Sequence, residues 1–205
     1  MIGIIDYGMG NLGSIANMLK KVGAHATVSA DPKVIERVEK LILPGVGAFD
    51  NGMKNLAERE LLPVINARVL SDRIPILGLC LGMQLFSRRS EEGKLPGLGW
   101  IPADTVRSAS SDMQARLRIP HMGCNTLRIR HAHKLFEDMD SDSRFYFVHS
   151  YHLVCSDEST VLAYTNYGYD FASVVGNENI LGVQFHPEKS HKFGMKFLQR
   201  FAERL

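Results

Sequence analysis

The sequence contains few cysteines, and they follow no regular spacing. The three are Cys80, Cys124 and Cys155, in a chain of 205 residues. An odd number without a recurring spacing fits neither a disulfide framework nor a zinc site. We therefore expect free thiols in a reducing compartment, with the cytoplasm as the default location.

Long apolar runs and blocks of one charge are also missing. The longest apolar runs fall short of the roughly 20 residues that a membrane-spanning helix needs, and we expect no signal peptide. Lys and Arg number 24 against 22 Asp and Glu, and the two signs are mixed along the chain. This balance favours neither nucleic acid nor a membrane as a partner. Length and a 45% hydrophobic fraction predict one globular domain over residues 1–205.

Short apolar runs alternate with helical patterns in the first half of the chain. This alternation predicts βαβ units and a mainly parallel central sheet flanked by helices, an α/β fold. The predicted strands are 2–5, 25–29, 40–43 and 74–79, with helices at 48–58, 61–70 and 82–89. The second half predicts a small antiparallel patch in the same domain, a last core strand and a closing helix. These segments are 98–107, 126–130, 144–155, 160–165 and 171–176, then 180–185 and 192–205.

A glycine-rich turn after the first strand allows a different function. Gly8, Gly10 and Gly13 form a G-x-G-x-x-G pattern between a strand and a helix, as in dinucleotide-binding domains. Against this, Asp6 would place a carboxylate close to a bound pyrophosphate. The chain also offers no second, substrate-binding domain. A dinucleotide-binding module is therefore the less favoured alternative.

A candidate nucleophile follows the fourth predicted strand. An apolar strand leads directly into Gly78-x-Cys80-x-Gly82, and a helix begins after it. This is the nucleophile-elbow pattern, with cysteine in place of serine. A thiol at a helix N-terminus is favoured as thiolate by the helix dipole. The alternative is an inert cysteine buried between packed glycines.

A candidate base and its orienting acid follow the last core strand. His186 stands at the end of that strand, the edge at which parallel sheets place their sites. Glu188 could accept a hydrogen bond from the imidazole N–H and stabilise its charged form. The pair lacks the third ligand that a metal would need, so we expect no metal and no cofactor. At the end of the third strand, Gly45 and Gly47 could bring main-chain N–H groups close to an oxyanion, together with the N–H of Leu81.

These motifs together resemble a known family. Residues 44–47, 78–84 and 182–190 are similar to those of class I, triad-type glutamine amidotransferases. Residues 6–12, 120–123 and 146–151 narrow the resemblance to the glutaminase subunits of imidazole glycerol phosphate synthases. The resemblance implies that Cys80 attacks the carboxamide of L-glutamine and forms a thioester. It further implies that His186 protonates the leaving ammonia and then activates water, while Glu188 orients His186.

The resemblance also assigns further residues. It implies an oxyanion hole made by Gly45, Val46, Gly47 and Leu81. It implies a glutamine pocket made by Gly82, Gln84, Glu92, His149, Ser150 and Tyr151.

Proteins of this family work as heterodimers. The resemblance implies a (β/α)₈-barrel cyclase subunit that receives the ammonia through a channel and activates the glutaminase allosterically, in histidine biosynthesis. The alternative is a paralogue that supplies ammonia to a sugar amidotransferase of surface polysaccharide biosynthesis. The family has tryptophan where this chain has Cys124, a departure that affects the predicted interface. That interface consists of Asn11, His121, Met122, Cys124 and Lys189.

Overall fold

A mixed sheet forms the centre of the molecule, and its first half is parallel. The computed structural model describes residues 1–108 and 118–205. The parallel strands are β1 Ile2–Ile5, β2 Ala26–Ser29, β3 Lys40–Leu43, β4 Ile76–Leu79 and β12 Ile180–Val183. They lie in the order β2-β1-β3-β4-β12. Continuous apolar runs make β1, β4 and β12 buried along their whole length, as expected for strands covered on both faces.

The sheet continues beyond β12 with antiparallel strands. These strands are β5 Ala103–Arg107, β7 Arg128–Ile129, β9 Tyr151–Cys155, β10 Val161–Asn166 and β11 Asp170–Asn177. In the described residues, β11, β10 and β7 follow β12, while β9 pairs with β11 and β5. Two further strands, β6 (His121–Thr126) and β8 (Arg144–His149), form a separate antiparallel ribbon.

Helices cover both faces of the parallel half and create two hydrophobic cores. Alternate residues of β1 face opposite sides: Ile4 packs with Leu19 and Phe197, and Ile5 packs in the other core with Phe49. The helices are α1 Leu12–Lys21, α2 Pro32–Ile35, α3 Phe49–Glu58, α4 Leu61–Asn66, α5 Leu81–Leu85 and α6 His191–Arg204. In the part of the chain that the structure describes, none is long and apolar enough to cross a bilayer.

The predicted α/β class, parallel sheet and antiparallel patch are confirmed, but several element boundaries were wrong. The predicted helix 82–89 ends after Leu85, because the carbonyls of Leu85 and Phe86 accept hydrogen bonds from Leu98 and Ile101. The predicted strand 144–155 is two strands, because the chain leaves the ribbon and enters the main sheet at Ser150.

The sequence prediction also missed strand β6 and began another strand too early. Residues 121–126 are exposed at alternate positions and include a glycine, so they carry little apolar signal. The strand predicted at 98–107 begins only at Ala103, after Pro102, which has no N–H to donate to a neighbouring strand.

Candidate active site

Three neighbouring strands end at one edge of the sheet, and each carries a predicted site segment. Leu43 of β3 lies opposite Gly78 of β4, and Val183 of β12 lies opposite Leu79. The loop 44–47, Cys80 and His186 therefore emerge side by side. Three segments that are distant in sequence meet at this edge, the position at which open parallel sheets bind ligands.

Cys80 occupies a strained turn between β4 and α5. Its φ is 52° and its ψ is −106°, a backbone conformation that residues other than glycine rarely adopt. The N–H of Cys80 donates to the carbonyl of Val183, which ties the turn to β12. A side chain at Gly82 would collide with the carbonyl of Leu43, so this position must be glycine. Because α5 has only five residues, its dipole would stabilise a negative charge on the sulfur less than the dipole of the predicted longer helix.

His186 and Glu188 form a buried pair beside this turn. The imidazole Nδ1 lies 2.8 Å from Glu188 Oε1, and both side chains are 2% exposed. A carboxylate only accepts, so Nδ1 carries the hydrogen and Nε2 is the basic atom. Nε2 is buried and makes no hydrogen bond to the described residues. Burial alone would lower the pKa of His186, but the neighbouring Cys80 sulfur and Glu188 carboxylate outweigh it and raise the pKa to about 10.

The sulfur and the imidazole open into one cavity of about 350 Å³. This cavity holds most of the predicted oxyanion and substrate residues together. Its described lining consists of Val46, Gly47, Cys80, Leu81, Gln84, Glu92, Pro120, Val148, His149, Ser150, Tyr151 and His186.

Two predicted site residues, Gly45 and Gly82, do not line this cavity and instead let backbones approach closely. A Cβ at Gly45 would lie 2.6 Å from the hydroxyl of Tyr7 and 2.8 Å from Cβ of Leu81. The Tyr7 hydroxyl donates to the carbonyl of Pro44. The loop 44–47 therefore packs directly against the Cys80 turn, and the hydrogen bond from the buried Tyr7 fixes its position.

The polar residues of the cavity are held by further hydrogen bonds. Nε2 of Gln84 donates to the carbonyl of Tyr151 at 3.0 Å, and His149 Nδ1 lies 2.9 Å from the same oxygen. Glu92 accepts from the N–H of Phe49, the first residue of α3, at 2.9 Å. Burial lowers the pKa of His149 to about 3, so this side chain is neutral at physiological pH.

Four of the five residues predicted at the partner interface are exposed. Met122 is 62% exposed, and Cys124 lies beside it on β6 with its thiol at the surface. Lys189 is exposed, and its ammonium lies 5.6 Å from the ring of Tyr146, the residue opposite Cys124 on β8. Asn11 is exposed and also caps α1 by accepting from the N–H of Ser14.

His121 is the exception, because it is only 4% exposed. Its ring stacks on Tyr167, with centroids 4.0 Å apart, and on Phe147 at 4.9 Å. Its Nδ1 lies 3.2 Å from Nε2 of His149. The side chain of His121 therefore points into the aromatic cluster behind the cavity, and its contact with a partner stays a prediction.

The glycine-rich turn at residues 8–13 belongs to the same edge of the sheet. The N–H of Gly8 donates to the carboxylate of Asp6, so this N–H already has an anionic partner within the chain. A Cβ at Gly10 would lie 3.0 Å from Cβ of Pro44, so the turn packs on the loop 44–47. The contact of Gly10 gives this turn a structural role in supporting that loop.

Sequence reasoning did not single out two residues that contact the nucleophile. Gln184 is fully buried, and its Nε2 lies 3.5 Å from Cys80 Sγ, while the carbonyl of Val148 lies 3.9 Å from the same sulfur. For Gln184 the sequence did contain a signal, because a polar residue stands directly before Phe185 and His186, where an apolar core residue would be expected.

The match to protein families agrees with this geometry. The family model described as glutamine amidotransferase class-I matches residues 3–205, so the chain belongs to that family. A crystal structure of a glutamine amidotransferase superposes with a TM-score of 0.71 at 21% identity, covering 97% of each chain. A glutamine amidotransferase from Thermotoga maritima gives a TM-score of 0.66 at 16% identity, covering 98% of this chain and 81% of that one. At these identities the two structures show the fold alone.

Closer relatives define the position within the family. Imidazole glycerol phosphate synthase subunit HisH 2 of Methanococcus maripaludis is 51% identical, and its namesake in Pseudomonas aeruginosa is 49% identical, each over 99% of both chains. The subunit HisH of Sulfurimonas denitrificans is 46% identical over 99% of this chain and 98% of its own. Within the class-I amidotransferases, the chain is thus a member of the HisH group of glutaminase subunits.

Proposed function

We propose that this chain hydrolyses L-glutamine for an imidazole glycerol phosphate synthase, with Cys80, His186 and Glu188 as its catalytic residues. One observation carries the assignment: the buried Glu188 holds Nδ1 of His186, which leaves Nε2 as the basic atom, and His186 lines the same cavity as Cys80. This is the arrangement of a nucleophile, a base and an orienting acid.

The first half of the reaction releases ammonia. The Cys80 thiolate attacks the carboxamide carbon of glutamine, and its electron pair forms a C–S bond. Main-chain N–H groups of the loop 44–47 and of Leu81 stabilise the resulting oxyanion. The imidazolium of His186 donates its proton to the amide nitrogen, the C–N bond breaks, and ammonia leaves a γ-glutamyl thioester.

The second half regenerates the enzyme. His186, now neutral, takes a proton from a water molecule, and the oxygen attacks the thioester carbon. When the tetrahedral intermediate collapses, the C–S bond breaks and its electron pair returns to the sulfur. Glutamate leaves, and the thiolate and imidazolium are restored. Because Glu188 holds Nδ1 throughout, the same Nε2 serves as acid and then as base.

The cavity has the size and the charge that a glutamine molecule requires. Its volume of about 350 Å³ lies at the small end of ligand pockets. Glu92 supplies a carboxylate for the substrate ammonium, and the amide of Gln84 lies near the reacting end. Both side chains are already held by protein hydrogen bonds, so little ordering is needed when the substrate binds.

A (β/α)₈-barrel cyclase subunit is the proposed partner, and it receives the ammonia directly. Met122, Cys124, Asn11 and Lys189 provide exposed positions for contact beside the catalytic edge. Ammonia released into water would be protonated and would lose its nucleophilic lone pair, so direct transfer preserves its reactivity. We place the reaction in the cytoplasm, because a reducing compartment keeps the Cys80 thiol free.

The replacement Cys80→Ala tests the assignment. We expect glutamate release to be abolished in the complex with the cyclase subunit, while ammonia supplied in solution still supports the cyclase reaction. Cys155→Ala, which removes a half-buried thiol away from the cavity, is the control and should retain glutaminase activity. Normal glutamine turnover by Cys80→Ala would refute the proposal.

Growth of a bacterial histidine auxotroph that lacks its glutaminase subunit tests the pathway. We expect this chain, expressed with its own cyclase partner, to restore growth without histidine. Glutaminase activity without rescue would instead favour the alternative of a paralogue that supplies a surface-sugar amidotransferase.

A further inference from the structure

Gln184 contacts the nucleophile, and the reaction proposed above gives it no role. It follows β12 directly, is 0% exposed, and places Nε2 3.5 Å from Cys80 Sγ. Its main-chain N–H donates to the carbonyl of Ser173, which fixes the backbone. A fully buried amide needs partners for both its nitrogen and its oxygen, so its orientation must follow from its neighbours.

One backbone carbonyl determines which end of Gln184 faces the sulfur. The carbonyl of Tyr151 can only accept, so the amino group of Gln84 must be the end that faces it, at 3.0 Å. The same amino group lies 3.2 Å from Oε1 of Gln184 and donates its second hydrogen there. With its oxygen held by Gln84, Gln184 can present only its amino group to Cys80.

We infer that Gln184 is a further catalytic residue, whose amide N–H donates to the Cys80 sulfur and favours its thiolate form. The inference rests on the proposed function, since it concerns the same nucleophile. A hydrogen bond to a charged acceptor is stronger than one to a neutral acceptor, so the contact stabilises a thiolate more than a thiol or a thioester. It acts on the resting nucleophile, and again when the C–S bond breaks and the electron pair returns to the sulfur.

Among the following titratable groups around the sulfur, only His186 stabilises a negative charge on Cys80. His186 supplies a positive charge from the exit of β12. Tyr7, at the end of β1, stays neutral because burial and the neighbouring Cys80 raise its pKa. His149 at the end of β8 is also neutral, and Glu92 accepts from the N–H of Phe49. Gln184 thus adds an uncharged N–H donor to the charge that His186 supplies.

The test compares Gln184→Met with the unmodified chain in the complex with the cyclase subunit. Methionine keeps the length of the side chain and removes the donor. The rate of iodoacetamide alkylation at Cys80, followed by mass spectrometry of its peptide, is measured against pH. We expect the midpoint of this profile to move upward by about one pH unit, as loss of a hydrogen bond to a charged group implies. Glutamine turnover at neutral pH should fall about tenfold.

A matched control and a second variant make the result specific. Ser173→Ala removes a buried hydroxyl from β11 that bonds to the carbonyl of Ala163, not to Cys80, and should leave the profile in place. Gln184→Glu keeps the acceptor for Gln84 and places a carboxyl group against the sulfur. It should move the midpoint further than methionine does, because it adds charge repulsion. If the methionine variant does not fold, Gln184→Leu, which removes the donor without adding a charge, decides the question.

Two failures are distinguishable. An unchanged alkylation profile in a folded Gln184 variant overturns the inference and leaves the proposed function intact. Full glutamine turnover by Cys80→Ala would overturn the proposed function itself.

Discussion

At the scale of single residues, the proposed reaction depends on a carboxylate that does not line the described cavity. Glu188 is buried with His186, and the two side chains are joined at 2.8 Å. A buried charge is costly unless it is paired, so the carboxylate is tolerated because the imidazole can carry the opposite charge. In the proposed reaction, Glu188 selects the tautomer of His186 and keeps the ring charged before ammonia leaves.

Glu188→Gln tests this role. The amide can still accept from Nδ1, but it no longer favours the imidazolium, so we expect kcat for glutamine hydrolysis to fall by up to roughly 10⁴-fold while KM changes little. Steady-state kinetics of the complex measures both. Glu158→Gln, an exposed glutamate paired with Arg130, is the control and should be unaffected. A large rise in KM with an unchanged kcat would contradict the assigned role.

At the scale of elements, the ribbon of β6 and β8 joins the catalytic edge to the molecular surface. The N–H of His186 donates to the carbonyl of Tyr146 on β8 at 2.8 Å, and Tyr146 pairs with Cys124 on β6. The ammonium of Lys189 lies over the Tyr146 ring. The exposed face of β6 is thus only one strand away from His186, the proposed base.

Cys124→Trp tests whether this face binds the partner. A tryptophan buries a large apolar surface at an interface, so we expect the dissociation constant for the cyclase subunit to fall about tenfold. Titration calorimetry gives the value. Leu70→Trp places the same side chain at an exposed position before β4, at the opposite edge of the sheet, and should not change it. Equal affinity of the Cys124→Trp and unmodified chains would exclude position 124 from the interface.

The elements that sequence could predict are those whose own residues determine them. Strands β1 and β3 have the predicted bounds, because each carries a buried apolar run that stops at a clear signal, Asp6 after β1 and Pro44 after β3. Ribbon strand β6 is exposed at alternate positions and pairs with a strand about 20 residues away, so its local signal was weak.

The same limit applies to the site. Cys80, His186 and Glu188 could be predicted because they directly follow apolar strands in the sequence. The structure brings them together. The burial of His121 could not, since it depends on Tyr167 and Phe147 from distant segments. Gln184 was overlooked for a related reason: its role depends on the orientation of two amides, which is set by a carbonyl in another strand.

At the scale of the whole molecule, a cluster of buried neutral histidines links folding to pH. His121, His149 and His152 are each 4–6% exposed, and burial lowers their pKa values to about 4, 3 and 4. In the unfolded chain these groups titrate near 6.5. As the pH falls below 6.5, the unfolded state therefore binds protons that the folded state excludes.

We expect the free energy of unfolding to fall as the pH is lowered from about 6.5 towards 4. Each buried histidine contributes up to roughly 1.4 kcal/mol per pH unit in this window. Urea unfolding at a series of pH values measures the slope. His121→Gln should make it shallower, whereas His131→Gln, at an exposed position, should not. The same slope in both variants would show that His121 takes up its proton equally in the folded and unfolded states.

The backbone bend at Cys80 has a genetic consequence. Glycine would relax a φ of 52° and a ψ of −106°, so the backbone there prefers the one residue that has no side chain for chemistry. A single base change converts a cysteine codon into a glycine codon. Selection for folding alone would therefore drive this position towards a stable, well-expressed and inert protein, and only a continuing demand for nitrogen transfer keeps the sulfur in place.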